Sequence, residues 1–403
     1  MAEHTSTDNI LFPAQWRSYF AILIAAGFAC ILVSLGLCSL VGDQGLKTFF
    51  HSYLANYIFC LSMCLGALFF VLVQHLVRAS WSATIRRVGE LLATTIPWWA
   101  ILFLPILISA IRPHSDVLYP WNAVELEPLV QQKIGYLNGS FFTIRALIYF
   151  GVWIFAGMFC FTLSRQQDHT GSAEITLKLQ KWSGPLIVLF ALALNFAAFD
   201  WVMSTDPAWY STIFGVYLFA ASMMAFFAAS IVVFNILQRN GRVIKYVSTE
   251  HYHDMGKFLF GFVFFWSYIA FSQYMLYWYG NIPEETLWFK HRMVGGWGYV
   301  GILLILGHFA IPMLGLLSRH VRRHRNALFG WAIFLLVMHW VDMSFLVLPN
   351  VGPFSLAMLL GHFTCLVGLL CIFLALFMWR VGDTPLVATR DPWIQESLAY
   401  HNM

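Results

Sequence analysis

Between Arg325 and Arg380 the chain runs through 54 residues, 326–379, whose single formal charge is Asp342. A stretch of about 20 apolar residues crosses a bilayer, so these positions hold two spans. The same length rule finds ten along the chain, at roughly 18–41, 52–77, 88–110, 139–163, 183–204, 207–237, 257–280, 293–317, 327–349 and 353–380. With 60% hydrophobic and only 10% charged residues, the composition is far from that of a soluble domain. The expected fold is all-α and polytopic. It consists of a segment 1–17, a ten-helix transmembrane domain 18–380 with a long loop at 111–138, and a tail 381–403. Residues 1–16 lack the basic start and short apolar core of a cleaved signal, so the first apolar run is expected to stay as a helix.

Ten spans put both termini on one side, and lysine and arginine choose it. A cytoplasmic N-terminus places 17 of the 23 Lys and Arg inside, Arg17, Arg86, Arg87, Arg165, Arg239 and Arg322 among them. Only Lys47, Arg112, Lys133, Arg145, Lys290 and Arg292 fall outside. The net charge of +4 therefore reflects loop basicity and gives no sign of nucleic-acid binding. The run Arg319–Arg325 reads as a topogenic loop facing lipid headgroups. Loop 111–138, with Pro113, Trp121, Glu125 and Pro128, suits either docking of an extrinsic subunit or a lid over the chain's own helices. Asp206-Pro207 reads as the cap of the sixth helix, and Asn281 with Glu284 as an N-terminal capping pair. Asp391-Pro392 reads as the start of a short helix in the tail.

Charge inside hydrocarbon is costly, about 2.5–3.5 kcal/mol for an aspartate on insertion scales, so such residues face a partner, a bundle interior or a water path. His339 and Asp342, three residues apart, lie on one helical face. Sorted by depth, an outer group comprises Asp200, Arg145, Gln273, His339, Asp342 and His362. An inner group comprises His75, Glu90, His253, Asp254, Lys257 and His308. Asp, Glu and His are the usual material of proton relays, and the two groups resemble two half-channels. Asp200, His339 and Asp342 are the candidates for an outward route. His253, Asp254, Lys257, His75 and Glu90 are the candidates for an inward one. The alternative is ordinary helix-to-helix polar packing; Arg145, for instance, either pairs with Asp200 or snorkels outward. The seven cysteines form no CxxC or haem-attachment spacing, so no covalently held cofactor is expected. His339 with His362 is the best available imidazole pair for haem, one pair where several would be needed. No HExxH or carboxylate cluster points to a metal.

One long stretch is more specific: Asn195-Phe-Ala-Ala-Phe-Asp200-Trp201, Met203, Asp206-Pro207, Trp209, Gly215 and Tyr217, followed by His251-Tyr-His253-Asp254-Met-Gly256-Lys257, Gln273, Trp278-Tyr279 and Asn281-Ile-Pro-Glu-Glu285. It resembles the ActF-type NrfD-like membrane subunit of bacterial alternative complex III. The likeness covers about residues 185–350, and the ten-helix layout extends it. The resemblance implies a pair of four-helix bundles with flanking helices in a bacterial cytoplasmic (inner) membrane. It implies a quinol:electron-acceptor oxidoreductase in which this chain has no redox centre of its own. The partners implied are an ActC-type sister subunit, an iron–sulfur subunit and multihaem cytochromes c, with or without a terminal oxidase; membrane lipids surround the chain. Haem c and iron–sulfur clusters belong to those partners. Quinol binding here would involve Asp200, Arg145, Gln273, His362 and His308. Asp200 could fill the role of the acid in the sister's quinol site, but no first-bundle histidine partners it, which leaves a proton path or a degenerate quinone site. Two other classes stand beside this reading, a secondary transporter of an ion or solute and a passive membrane anchor. Pro97, Pro105 and Pro312 do not form the matched midplane breaks expected of a transporter.

Overall fold

A computed structural model describes residues 9–401; the expectations for residues 1–8, 402 and 403 lie outside it. Ten helices are long and apolar enough to cross a membrane: α1 (Ala14–Ser39), α2 (Gly42–Leu76), α3 (Arg86–Ile111), α4 (Gly139–Thr170), α5 (Ala173–Thr205), α6 (Phe214–Arg239), α7 (Thr249–Gly280), α8 (Trp297–Leu317), α9 (Arg325–Asn350) and α10 (Leu356–Val381). The chain is all-α and polytopic, as its hydropathy requires.

Burial separates the spans by role. The apolar windows of α2 and α6 are 89% and 78% buried inside the protein, whereas those of α1 and α8 are 11% and 28% buried. The first two are central and the last two face lipid. Helices α2–α5 form one four-helix bundle and α6–α9 a second, joined through contacts of α2 with α6 and α9. Helices α1 and α10 pair with each other and flank α2. That pair is made of small residues: a Cβ on Gly368 would lie 2.8 Å from the Gly27 carbonyl oxygen, and one on Gly361 2.5 Å from Cys38 Sγ. In lipid, where apolar burial gives helices little reason to associate, such close approach supplies the packing that does. The Ser34 hydroxyl donates to the Gly361 carbonyl at 2.7 Å across the same seam.

The helix ends follow local chemistry and differ from the hydropathy reading where polar residues extend a helix past the apolar run. Helix α7 starts at Thr249 because Ser248 and His251 form a reciprocal capping box. Helix α5 starts at Ala173 under a Ser172 cap, just after α4 ends on left-handed Gly171. Three expectations are corrected. Asp206-Pro207 does not cap α6, which begins at Phe214 without a side-chain cap; Pro207, with no N–H to continue the ladder, instead follows the end of α5 at Thr205. Asn281 is the left-handed C-cap of α7 at φ 46°, a conformation asparagine tolerates, and not the N-cap of the short helix Pro283–His291. The basic run does more than face lipid: Arg323 forms a two-pronged ion pair with Glu250, and Arg325 donates to Gln238 Oε1 at 2.9 Å.

The two ends of the bundle are built differently. At the terminal end both described chain ends meet: Asn9 bridges to Arg242, and the Leu386 amide donates to the Ile10 carbonyl at 2.8 Å. At the opposite, loop end, residues 112–138 lie over the helices as a lid. The Tyr119 hydroxyl donates to the Trp201 carbonyl, the Trp121 indole to Ser204 Oγ, and Lys133 Nζ to the Pro207 carbonyl. Leu118, Tyr119, Trp121 and Val130 are the lid's own buried residues.

Candidate functional site

Two of the ten spans are interrupted by a π-helical turn, and each turn carries a buried ionisable residue. In α8 the turn is Leu304–Ala310 and holds His308. Pro312 lacks the N–H that would bond the His308 carbonyl and its ring crowds that carbonyl, so the wider turn relieves the clash. In α5 the turn is Ala198–Val202 and holds Asp200. Turns of this kind recur at functional sites.

Asp200 is 1% exposed. Arg145 of α4 donates to it twice, Nε at 2.6 Å and Nη2 at 3.1 Å, and the Tyr149 hydroxyl donates at 2.7 Å. The guanidinium also lies 3.8 Å from the Tyr136 ring centroid and gives its Nη1 to the Tyr136 carbonyl. Of the two readings of Arg145, the structure has the ion pair. Asn195 and Gly215 of the same stretch pass so closely that a Cβ on Gly215 would sit 1.8 Å from Asn195 Oδ1. Trp209 stacks on Trp288 at 4.5 Å.

Asp342 is fully buried, and its hydrogen-bond donors are a phenol and an indole. The Tyr217 hydroxyl of α6 donates to one carboxylate oxygen, and the Trp266 indole of α7 donates to the other at 3.0 Å. The Trp266 ring in turn lies 3.9 Å from the His308 imidazole, whose Nε2 meets Met224 Sδ at 3.1 Å. His308 therefore belongs with Asp342 at mid-depth, and its expected place in an inner group is corrected. Its Nδ1 is buried without a hydrogen bond.

His339 and Asp342 share a helix face but serve different neighbours. His339 Nε2 bonds Ser62 Oγ of α2 at 2.8 Å, and His339 Nδ1 has no hydrogen-bond partner. Ser62 and Ser222 line a cavity of about 10 Å³ between the bundles, walled otherwise by apolar and aromatic side chains including Trp153 and Trp201. That is room for about one water. His362 forms a third knot, taking Ser344 Oγ at 2.7 Å and the Asn56 amide at 3.1 Å. Gln273 is buried apart from these, with Oε1 unbonded.

The terminal end gathers the remaining candidates into an ionic cluster. Glu90 lies 3.3 Å from Arg87 and 3.6 Å from Arg86, Arg87 pairs with Asp168 at 2.7 Å, and Arg86 pairs with Asp391 of the tail. The Glu90 oxygens are charge-paired yet lie outside hydrogen-bonding geometry. Asp391, expected at the start of the tail helix, lies before the short helix Ile394–Leu398 and takes the Trp393 amide as well as Arg86. Ser397 meets Thr84 and His251, and Lys257 pairs with Asp254. His75 and His253 are buried at this end. The Tyr400 hydroxyl bonds Asp254, and burial together with that carboxylate pushes its pKa up to about 12.

Sequence reasoning missed Tyr149, Ser62, Asn56 and Ser344, and gave Tyr217 and Trp266 no polar role. Tyrosine, tryptophan and serine are ordinary in apolar spans, so only the pairing of helices makes them polar partners. Among the described residues no group of three or more His, Cys, Asp or Glu is placed to hold a metal ion. Compared with known proteins, the chain matches no family model and no curated protein.

Proposed function

We propose that the chain is an integral subunit, without a redox centre of its own, of a quinol:electron-acceptor oxidoreductase of the alternative complex III type. In this reading it sits in a bacterial cytoplasmic membrane with the basic terminal end inside. The observation that carries the proposal is where the residues of the resembling stretch fall. Asn195, Asp200, Trp209, Gly215 and Tyr217 are the ones that make the close helix approach, the Arg145 pair, the Trp288 stack and the Asp342 contact. A motif built of contact-making residues is one that a shared fold would need.

Within this reading the buried groups divide by partner. Asp200 is held by a cation and a phenol and ties α4 to α5, which favours a scaffold role for it. Asp342 is held by a phenol and an indole, and His308 and His339 each keep an unbonded ring nitrogen in the same layer of the second bundle. A carboxyl so placed can take up and release a proton without breaking an ion pair, and we assign proton handling to it. Native purification should bring down an iron–sulfur protein, a multihaem cytochrome c and a second subunit of the same type; a chain that purifies alone from intact membranes rejects the assignment. Asp342→Asn in reconstituted vesicles should lower proton release per electron with assembly intact. Lost assembly would mark Asp342 as an anchor, and unchanged stoichiometry would remove it from any proton route.

A further inference from the structure

A groove of about 600 Å³ opens at the terminal end of α7, where charge gives way to hydrocarbon. Lys257 is the last formal charge of that helix; residues 258–280 carry none. The groove's polar rim is Asp254, Lys257 and Tyr400, and its floor is Trp81, Phe258 and Phe262. The floor is flat. Trp81 lies on Phe258 at 5.8 Å and 15°, Phe258 on Phe227 at 4.9 Å and 3°, and Phe227 on Phe262 at 6.0 Å and 21°. The concavity comes from Gly261, where an added Cβ would meet no atom within 4 Å. Asp254 is buried at the back of the rim, whereas the Lys257 side chain is 44% exposed at its edge.

We infer that this groove holds one phospholipid with a primary-ammonium headgroup. The rim carries one acid and one base already paired with each other, so it has no net charge and suits a zwitterion better than an anion. A headgroup ammonium has three N–H donors for the Asp254 carboxylate and the Tyr400 oxygen. The phosphate meets the Lys257 ammonium, whose long stem lets it reach the interface. The acyl chains then run down α7 over Phe258, Gly261 and Phe262 into the bilayer. A volume of this size falls within the roughly 300–1,000 Å³ of ligand pockets. The inference is independent of the proposed respiratory role.

The test is intact-protein mass spectrometry of the full chain, exchanged in turn into dioleoyl phosphatidylethanolamine, phosphatidylcholine and phosphatidylglycerol. Phosphatidylcholine keeps the positive charge but has no N–H, and phosphatidylglycerol has no ammonium. The wild type should retain one phosphatidylethanolamine about tenfold better than either, the worth of a single charge-assisted hydrogen bond. Gly261→Leu, which fills the groove in open space, should lose that lipid while its melting temperature stays within a few degrees of wild type. Asp254→Asn, tested as a second variant, should bring the phosphatidylethanolamine to phosphatidylcholine ratio toward one. Equal retention of all three lipids, preference for either of the others, no retained lipid, or unchanged retention in both variants overturns the inference.

Discussion

Arg145 and Arg292 are both buried arginines, and their partners give them different consequences. Arg145 meets a carboxylate with the two-pronged geometry that suits a guanidinium. Arg292, 2% exposed, is satisfied by the carbonyls of Trp288, Phe345 and Leu346 and by Asn350 Oδ1, with its guanidinium 3.5 Å from the Trp288 centroid. It closes the end of α9 by taking the carbonyls that a helix C-terminus leaves unbonded. Burial pulls its pKa down to about 9, opposed by Asp206. Burial also raises the Asp206 pKa, opposed by Arg292. The sign for Asp206 is that of a group whose folded pKa lies above its unfolded one. Its contribution is fully present below the unfolded pKa near 3.8 and is lost as pH rises through the folded value. Asparagine mimics the neutral form. Asp206→Asn should therefore raise the melting temperature relative to wild type more at pH 8 than at pH 4, measured in one detergent; an advantage that grows toward pH 4 would contradict the raised pKa.

At the scale of elements, the α1–α10 seam and the π-helical turns illustrate opposite uses of small and special residues. Gly27, Gly361 and Gly368 let two backbones touch, and nothing else holds α1 as firmly to the protein, since its outer face is lipid-exposed at Ile22, Phe28 and Leu32. Gly368→Leu should detach α1 from α10. The readout is alkylation of Cys38, buried in the seam against Gly361, with the other six cysteines replaced; it should be slow in the parent and fast in the leucine variant. The core helices should remain folded, because α2 keeps its contacts with α3, α5, α6 and α9. Pro312 works the other way, widening α8 and so bringing His308 against Trp266. Its effect was not legible in the sequence because a proline predicts a break but does not say whether the helix kinks, ends or bulges. Similarly, Thr94–Thr95 and Phe103 divide α3 near Pro97 and Pro105.

Across the whole molecule, charge is arranged so that the terminal end is locked by the chain's own tail. Arg390 donates to the His169 carbonyl, Asp391 reaches Arg86, Ser397 joins Thr84 and His251, and Tyr400 meets Asp254. These contacts reach the ends of three connections between spans, α2–α3, α4–α5 and α6–α7. Asp391→Ala removes the partner of a buried arginine and should destabilise the fold by about 3–5 kcal/mol in a reversible detergent unfolding assay. Asp383→Ala is the control. Asp383 is 92% exposed and pairs with Arg17 at the surface, and its loss should change stability little. Equal effects of the two would mean that the tail is not part of the folded unit.

The ten spans and their approximate limits were determined by the sequence itself, because transfer into hydrocarbon is a local, nearly additive property of about 20 residues at a time. The caps at Ser172, Ser248 and Asn281 show where that reading loses accuracy, since polar helical turns outside the bilayer carry no hydropathy signal. Tertiary structure alone decided which polar group meets which. His339 and Asp342 lie about 60° apart around α9, near enough to share a face on paper, yet one turns to Ser62 of α2 and the other to Tyr217 and Trp266 of α6 and α7. A helical period states direction around one axis; the identity of the neighbouring helix in that direction comes only from how all ten pack.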